Sequence, residues 1–217
     1  NEPALRRALA NSLLIAVCTS VLATMLGICA ARAGTKYRFP GKGPMLSFIM
    51  LPLVLPEMVI GAALLVLMVA VGIDPGAWTI VLGHVLICTP FSIAILNGAF
   101  AALDGSLEEA AYDLGENPWS AFRLVILPLV MPGIISSMLI TFIISLDEFM
   151  IAFFLGQNTT TLPLYLWSML RFPQKIPVVM ALGTILVALS IVLLTIAEYF
   201  RRRGIARTGG KDTGGFL

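Results

Sequence analysis

The sequence has 217 residues, of which 59% are hydrophobic and only 12% are charged. A soluble domain carries about 25% charged residues, so the composition excludes an ordinary soluble fold and predicts an integral membrane protein. The formal net charge is +2, and the basic residues form no stripe alternating with aromatics, which argues against nucleic-acid binding.

Five apolar stretches are long enough to cross a bilayer, since a spanning helix needs about 20 residues. They lie at 13–31, 45–71, 78–100, 127–144 and 177–200. Together they predict an all-α, polytopic membrane protein with five transmembrane helices. The second stretch is interrupted by Pro52, Pro56 and Glu57. A mixed segment precedes the fifth and predicts a partly buried loop with a short helix at about 164–170.

The two ends of the chain differ from its apolar middle. Arg6 and Arg7 resemble the start of a signal peptide, but the long run that follows them favours a true span. The sequence does not begin with Met, so we expect the chain to start partway through a longer gene product. The Gly-rich, polar residues 204–217 predict a disordered tail after a membrane domain at 1–203.

The distribution of Lys and Arg predicts the orientation, because short cytoplasmic loops are rich in these residues. The loop after the first span and the tail after the fifth carry most of them: Arg32, Lys36, Arg38, Lys42, Arg201, Arg202, Arg203, Arg207 and Lys211. With five spans, both regions and the polar segment 104–128 lie on one side. We therefore expect that side, including the C-terminus, to be cytoplasmic.

The polar segment 104–128 predicts a helix, a turn and a second helix. Ser106 followed by Glu109 is the pattern of a capping box. Gly115 stands where a glycine ends a helix, and Asn117 with Pro118 is typical of a helix start. The first helix carries one narrow apolar stripe at helical spacing, formed by Leu107, Ala110, Ala111 and Leu114.

This first helix is suited to a groove on a protein partner, because its alanines allow close approach. The alternative is an interfacial helix resting on lipid. The polar face carries Glu108, Glu109 and Asp113, however, and anionic headgroups would repel these acids. The charge therefore favours docking on a partner over lipid.

The stretch "EEAAYDLGENPWSAFRLVILP" resembles the EAA loop of ABC importer permeases: Glu-Ala-Ala, three residues, glycine, nine residues, an aliphatic residue, any residue, Leu-Pro. The matching positions are Glu109, Ala110, Ala111, Gly115, Val125, Leu127 and Pro128, with valine where isoleucine is usual. The resemblance extends from "NSLLIAV" through "SLDEFMIAFF" to "LPLYLWSMLRF". The sequence is similar to the PotC-like permeases of the spermidine/putrescine class.

The resemblance implies the MetI-like fold of one half of a type I importer, located in a bacterial inner membrane. Such a protein would move a small solute by alternating access, and the solute is expected to be a polyamine. Its partners would be a second, PotB-like permease, an ATPase dimer and an extracytoplasmic solute-binding protein. Such permeases usually have one more N-terminal span, so an upstream sixth helix is expected to be missing here. The ATPase-coupling residues would be Glu108, Glu109, Ala110, Ala111, Asp113, Leu114 and Gly115.

The sequence contains no G-x-x-x-x-G-K-[ST] phosphate loop. We therefore expect no enzyme activity and no cofactor in this chain, with ATP and Mg²⁺ bound by the partner ATPase. His84 is the only histidine and has no second ligand at metal-binding spacing, so a metal site is not expected.

Three acids in or beside the spans are candidates for the substrate pathway, because ionisable groups at membrane depth usually face the bundle interior. They are Glu57, Asp147 and Glu148. A structural role for each is an equally weighted alternative. Asp147 and Glu148 are adjacent and point about 100° apart on a helix, so at most one of them is expected to face the pathway.

Three other functions remain as alternatives. The first is a permease of the same importer class for another small organic solute. The second is an intramembrane enzyme, which would need a motif such as G-x-S-x-G or H-E-x-x-H, and neither occurs. The third is a passive channel, although nothing in the sequence resembles a selectivity filter.

Overall fold

A computed structural model describes residues 3–208, with the side chains of 205–208 excepted. Within this range the chain is all-α and forms no strand. The helices are α1 (Pro3–Lys36), α2 (Lys42–Ile49), α3 (Glu57–Ala70), α4 (Ala77–Ala101), α5 (Ser106–Asp113), α6 (Pro118–Ala121), α7 (Leu127–Asp147), α8 (Met150–Leu155), α9 (Leu162–Met169) and α10 (Ile176–Thr208).

The prediction of five transmembrane helices is wrong in number. Four helices of the described chain are long and apolar enough to cross a bilayer: Pro3–Lys36, Ala77–Ala101, Pro118–Asp147 and Pro173–Gly204. The stretch 45–71 is divided into α2, a 3₁₀ turn at Leu51–Leu53 and α3. Pro52 and Pro56 cause the division, because proline lacks the N–H that a continuing helix needs. α3 has 14 residues and is about 21 Å long, shorter than the roughly 30 Å hydrocarbon core.

The remaining boundaries follow the sequence closely. The short helix expected at 164–170 is α9, Leu162–Met169. α10 continues to Thr208, past the predicted end of the membrane domain at 203. The rest of the expected tail, residues 209–217, lies outside the described residues.

The centre of the bundle is formed by α1, α4 and α7, which pack against one another. Small residues allow the close approach, as is common between helices in membranes. A Cβ on Gly27 of α1 would lie 2.0 Å from Ser92 Oγ of α4. Hydroxyls then join the three helices: Ser137 Oγ of α7 is 2.7 Å from Ser92 Oγ and 3.4 Å from Thr24 Oγ1.

α10 packs antiparallel to α7, so that Ser190 lies beside Asp147 and Gly204 beside Pro132. Most of α10 is not covered by the rest of the described chain, and large apolar side chains such as Met180 and Ile185 are exposed. An apolar surface of this size in a membrane helix is suited to lipid or to another membrane subunit.

α6 and α7 form one continuous helix, Pro118–Asp147. They are joined by a π-helical turn at Phe122–Ile126. π turns interrupt α-helices as single wide turns and occur often at functional sites. The second helix of the polar segment is therefore not separated from the span expected at 127–144, but is its first part.

Candidate functional site

The helix expected to couple the chain to an ATPase is α5, and its start differs from the prediction. Asp104 Oδ1 accepts a hydrogen bond from the Ser106 N–H at 3.0 Å. Ser106 is the first residue inside α5, after the N-cap residue Gly105, and its N–H bonds to Asp104 rather than to Glu109, so the predicted Ser106–Glu109 capping box is wrong. The hydrogen bonds from Ser106 hold the pKa of Asp104 below its usual value. A carboxylate at this end is favourable because it faces the positive end of the helix dipole.

The end of α5 confirms the prediction made from Gly115. This residue has φ 85°, a left-handed conformation that glycine adopts without strain. The Gly115 N–H donates to Tyr112 O at 2.9 Å and the Glu116 N–H donates to Ala111 O at 3.0 Å, which is the Schellman motif. Asn117 Oδ1 then accepts the Ser120 N–H at 2.9 Å, with Pro118 at the first helical position as expected.

The seven residues expected to couple to the ATPase do not share one face. Ala111 is 3% exposed and lies on the side of α5 that faces α6 and the π turn. Leu114 is 85% exposed. The water-facing members are Glu109, Ala110, Asp113, Leu114 and Gly115. Leu107 and Trp119 are also exposed, so the outer surface of this segment combines apolar and acidic groups.

Glu108 does not belong to the exposed acidic face that the sequence predicts. Its Oε2 accepts a hydrogen bond from Arg32 Nη2 at 2.5 Å, and its Oε1 accepts from Lys36 Nζ and, at 2.6 Å, from Tyr112 Oη. Burial raises the pKa of Glu108, but the hydrogen bonds from Lys36, Tyr112 and Arg32 outweigh that effect and lower the pKa to about 2. Glu108 is therefore a carboxylate with three donors directed at it.

Of the three acids expected on a substrate pathway, Glu57 lies at the start of a helix and not in the middle of a continuous span. It is the first residue of α3, directly after Pro56, and is exposed. A carboxylate in the first turn is stabilised by the helix dipole. The structure therefore explains how this charge is tolerated and leaves it accessible.

Asp147 is the last residue of α7 and lines a cavity. Its Oδ2 accepts a hydrogen bond from Ser190 Oγ of α10 at 2.9 Å. The cavity has a volume of about 360 Å³. Its other walls are apolar and come from α9, α10 and the residue pair after α7: Phe149, Pro163, Leu166, Trp167, Leu170, Val179, Gly183, Leu186 and Val187.

Glu148, although adjacent to Asp147, is 6% exposed and has a structural role. Its two carboxylate oxygens accept the N–H groups of Ile151 at 2.8 Å and Ala152 at 3.2 Å, which caps α8. His84 Nε2 of α4 lies 3.1 Å from Glu148 Oε2. In this structure the Glu148 oxygens are turned toward the protein interior, and its role on a pathway stays a prediction.

The buried cluster around Glu148 could not be found from the sequence. His84 Nδ1 lies 2.7 Å from Ser145 Oγ, and these partners come from helices far apart in the chain. A single histidine and a distant Ser-x-x-Glu sequence contain nothing that predicts their contact in the folded protein. Within residues 3–208 no group of three or more His, Cys, Asp or Glu side chains is placed to hold a metal ion.

Residues 23–205 match the family described as "Binding-protein-dependent transport system inner membrane component". The chain belongs to this family. The permease is 37% identical over 210 residues to the putrescine transport system permease protein PotI of Escherichia coli (strain K12), covering 93% of this chain and 74% of the relative.

Two further comparisons agree with the assignment. The permease is 33% identical over 211 residues to the spermidine/putrescine transport system permease protein PotC of Shigella flexneri, covering 97% of this chain and 80% of that protein. The fold matches a structure of the MetNI methionine ABC transporter in an inward-facing conformation, with a TM-score of 0.75 at 18% identity, over 94% of this chain and 99% of the other. The MetI-like fold is thereby confirmed.

Family membership fixes the general activity. The permease is the multi-pass inner-membrane component of a binding-protein-dependent ABC importer and is not its ATPase. It therefore functions with an ATPase and a solute-binding protein. The alternatives of an intramembrane enzyme and a passive channel are excluded by this assignment, and members of the family typically hold no cofactor.

Proposed function

We propose that this permease imports a small organic cation of the polyamine class, such as spermidine or putrescine, by alternating access. The observation that carries the proposal is the Asp147 carboxylate in the wall of an otherwise apolar cavity. The names of the relatives PotI and PotC, which are putrescine and spermidine/putrescine permeases, support it.

The composition of the cavity is suited to a diamine. A methylene chain gains from contact with apolar walls, at roughly 0.8 kcal/mol per buried CH₂. The Asp147 carboxylate is exposed and can pair with an ammonium group beside this apolar surface. The ring of Trp167 adds apolar surface to the same wall. Glu57, exposed at the start of α3, is the second acid we assign to the pathway.

We further propose that α5 docks on the ATPase through its exposed face, formed by Glu109, Ala110, Asp113, Leu114 and Gly115. Leu107 and Trp119 extend this face with apolar surface. The docking side, and with it the C-terminus, is then cytoplasmic. Closure of the ATPase dimer would move α5 and drive the change between inward and outward access, with a second, PotB-like permease forming the other half of the pathway.

Uptake of radiolabelled putrescine into proteoliposomes that contain the complete importer and its binding protein tests the substrate. Asp147→Asn should lower uptake about tenfold, which corresponds to about 1.4 kcal/mol. Asp74→Asn removes an equal charge from an exposed loop residue and should leave uptake unchanged. Normal uptake in Asp147→Asn, or transport of a neutral organic solute in preference to putrescine, would contradict the proposal.

Co-purification of the ATPase tests the docking face. Glu109→Lys reverses a charge on it, and Gly115→Trp places a bulky side chain at a position with φ 85°. Both variants should lose the ATPase, while Asp74→Lys should retain it. Retention of the ATPase by both docking variants would show that α5 is not the docking helix.

A further inference from the structure

α5 is held to α1 by a group of four side chains, Arg32, Lys36, Glu108 and Tyr112, called here the α1–α5 cluster. Glu108 is its centre, since its carboxylate accepts hydrogen bonds from the other three residues. Lys36 Nζ also donates to Tyr112 Oη at 3.2 Å. The Glu108 side chain is 12% exposed, against 19% for Arg32 and 27% for Lys36. The cluster is thus accessible to water but mostly covered.

The packing of α5 shows which contacts join it to the three central helices. α5 contains the buried Ala111 and packs against the π turn and α6, which are both continuous with α7. Its other end is joined to α4 through the short segment 102–105. The contact of α5 with α1 is made by the charged side chains of the cluster. α5 is therefore connected to all three central helices, to two of them through the backbone and to α1 through ion pairs.

α1 is the helix through which a displacement of α5 reaches the rest of the bundle. It packs against both α4 and α7 along its length. Arg32 also lies over the ring of Phe100 at the end of α4, with Cζ 5.9 Å from the ring centroid. The cationic end of α1 is consequently fixed on two sides, by an aromatic ring of α4 and by a carboxylate of α5.

We propose that Glu108 is a positioning residue that fixes α5 to the end of α1, so that the two move as one body when the ATPase displaces α5. The proposal rests on the proposed docking of α5, but it assigns to Glu108 a role inside the permease and not at the ATPase surface. An isolated exposed ion pair contributes little to stability. Glu108 differs because one carboxylate accepts from three donors in a partly covered site, where charge-assisted bonds are stronger.

The ratio of solute imported to ATP hydrolysed, measured in proteoliposomes with the complete importer, tests the proposal. Glu108→Gln and Glu108→Arg should retain the ATPase on co-purification and continue to hydrolyse ATP, but should lower this ratio about tenfold. The exchange of charges in Arg32→Glu with Glu108→Arg should recover most of it, because the opposed charges are restored. Arg38→Ala, which removes an exposed charge just after α1, is the matched control and should behave as the unmodified importer.

The outcomes separate this inference from the docking proposal. If Glu108→Gln loses the ATPase, Glu108 belongs to the docking face and the positioning role is wrong. If Glu108→Gln leaves the transport ratio unchanged, or the charge exchange fails to recover it in an intact complex, the positioning role is also wrong. If Glu109→Lys retains the ATPase, the proposal that α5 docks on the ATPase is wrong. The role of Glu108 is judged separately, from the transport ratio.

A cross-link provides a second measurement that a purely local stabilising role would not affect. Cysteines introduced as Lys36→Cys and Tyr112→Cys, in a chain whose Cys18, Cys29 and Cys88 are replaced by Ala, can be joined by a short bismaleimide. The two cysteines remove two of the three donors to Glu108, so the uncross-linked form should already show the lowered transport per ATP. If α1 and α5 move as one body, the cross-link should raise this ratio toward that of the unmodified importer. Blocked transport after cross-linking would show that the two helices separate during the cycle and would overturn the proposal.

Discussion

The α1–α5 cluster and the buried cluster of His84, Ser145 and Glu148 both place a glutamate beside a basic residue of another helix, but they differ in what surrounds the carboxylate. The Glu148 side chain is 2% exposed and accepts two backbone N–H groups. The Glu108 side chain is 12% exposed and accepts only side-chain donors. The first carboxylate therefore determines where the backbone turns, and the second determines which helices stay together.

The difference teaches how the same residue type serves two purposes. A buried acceptor of backbone N–H groups cannot be removed without leaving those groups unpaired, which costs the full desolvation penalty. A partly exposed acceptor can be removed at small cost, because water takes its place. The buried cluster of His84, Ser145 and Glu148, called the inner cluster, is thus suited to fixing the backbone. The α1–α5 cluster, called the outer cluster, is suited to the proposed coupling of α5 to α1. Four predictions test this contrast.

The largest effect of a single substitution is expected from Glu148→Ala. The change removes the acceptor from two N–H groups at the start of α8 and leaves His84 buried without its acidic neighbour. Each buried backbone N–H left without an acceptor costs about 1–3 kcal/mol. Thermal unfolding of the purified permease in detergent should therefore shift to a markedly lower temperature. Glu148→Gln, which keeps one amide oxygen as an acceptor, should lose less, and unfolding of Glu148→Ala at the original temperature would refute the capping role.

Glu108→Ala should have a much smaller effect on the same measurement. The bonds to Glu108 are stronger than the roughly 0.2–1 kcal/mol of an exposed ion pair, but no backbone group is left unpaired and water can solvate the freed Arg32 and Lys36. We expect a smaller shift in the unfolding temperature than for Glu148→Ala, together with a large loss of transport per ATP. A loss of stability as large as that of Glu148→Ala would show that the two clusters are not different in kind.

The two clusters should be energetically independent. His84 and Phe100, which lie at the inner and outer cluster respectively, are about 24 Å apart along α4 at a rise of 1.5 Å per residue. Changes at separated sites add to within about 0.3–0.5 kcal/mol. The double variant Glu108→Ala with Glu148→Ala should therefore lose the sum of the single losses in urea unfolding. A clear departure from additivity would indicate that α1 and α4 transmit strain between the clusters.

The smallest effect is expected from pH. The pKa of Glu108 is lowered from 4.5 to about 2, so its contribution to stability is complete above pH 4.5 and is lost as the pH falls from 4.5 toward 2. The difference in unfolding temperature between the unmodified chain and Glu108→Gln should stay constant from pH 8 to pH 5. It should shrink only below that range. A difference that already declines between pH 7 and pH 6 would show that Glu108 titrates near neutrality.

Much of this structure could be predicted from local signals. The four long helices follow from long apolar runs. Gly115 marks the end of α5, and Asn117 with Pro118 marks the start of α6, because each of these residues has a narrow set of backbone preferences. The break at Pro52 and Pro56 was visible, but its consequence was not, since apolar composition continues through it. Hydropathy measures the partition of side chains and does not register the loss of a backbone N–H.

The roles of the acids could be predicted only in part. Asp147 lines a cavity, but α7 ends at Asp147 and Glu148 has an extended backbone, so the 100° spacing of a helix does not decide between the two residues. Glu108 and Glu109 are adjacent, and the one that points outward depends on the positions of Arg32 and Lys36. The packing of α1 on α4 determines those positions. Pairings between distant segments carry no local signal, so Glu108 and Glu148 could be assigned only from the structure.

The π turn at Phe122–Ile126 has a geometric consequence for the face that α5 and α6 present. This turn closes with i→i+5 hydrogen bonds and so holds one residue more than an α-helical turn. Deleting that residue would let the turn close as an ordinary α-helical turn, with α6 and the attached α5 near their present azimuth around the α7 axis. Deleting a residue elsewhere in the helix would rotate them by about 100°, so this turn is the place where the helix tolerates a change of length without turning the proposed docking face.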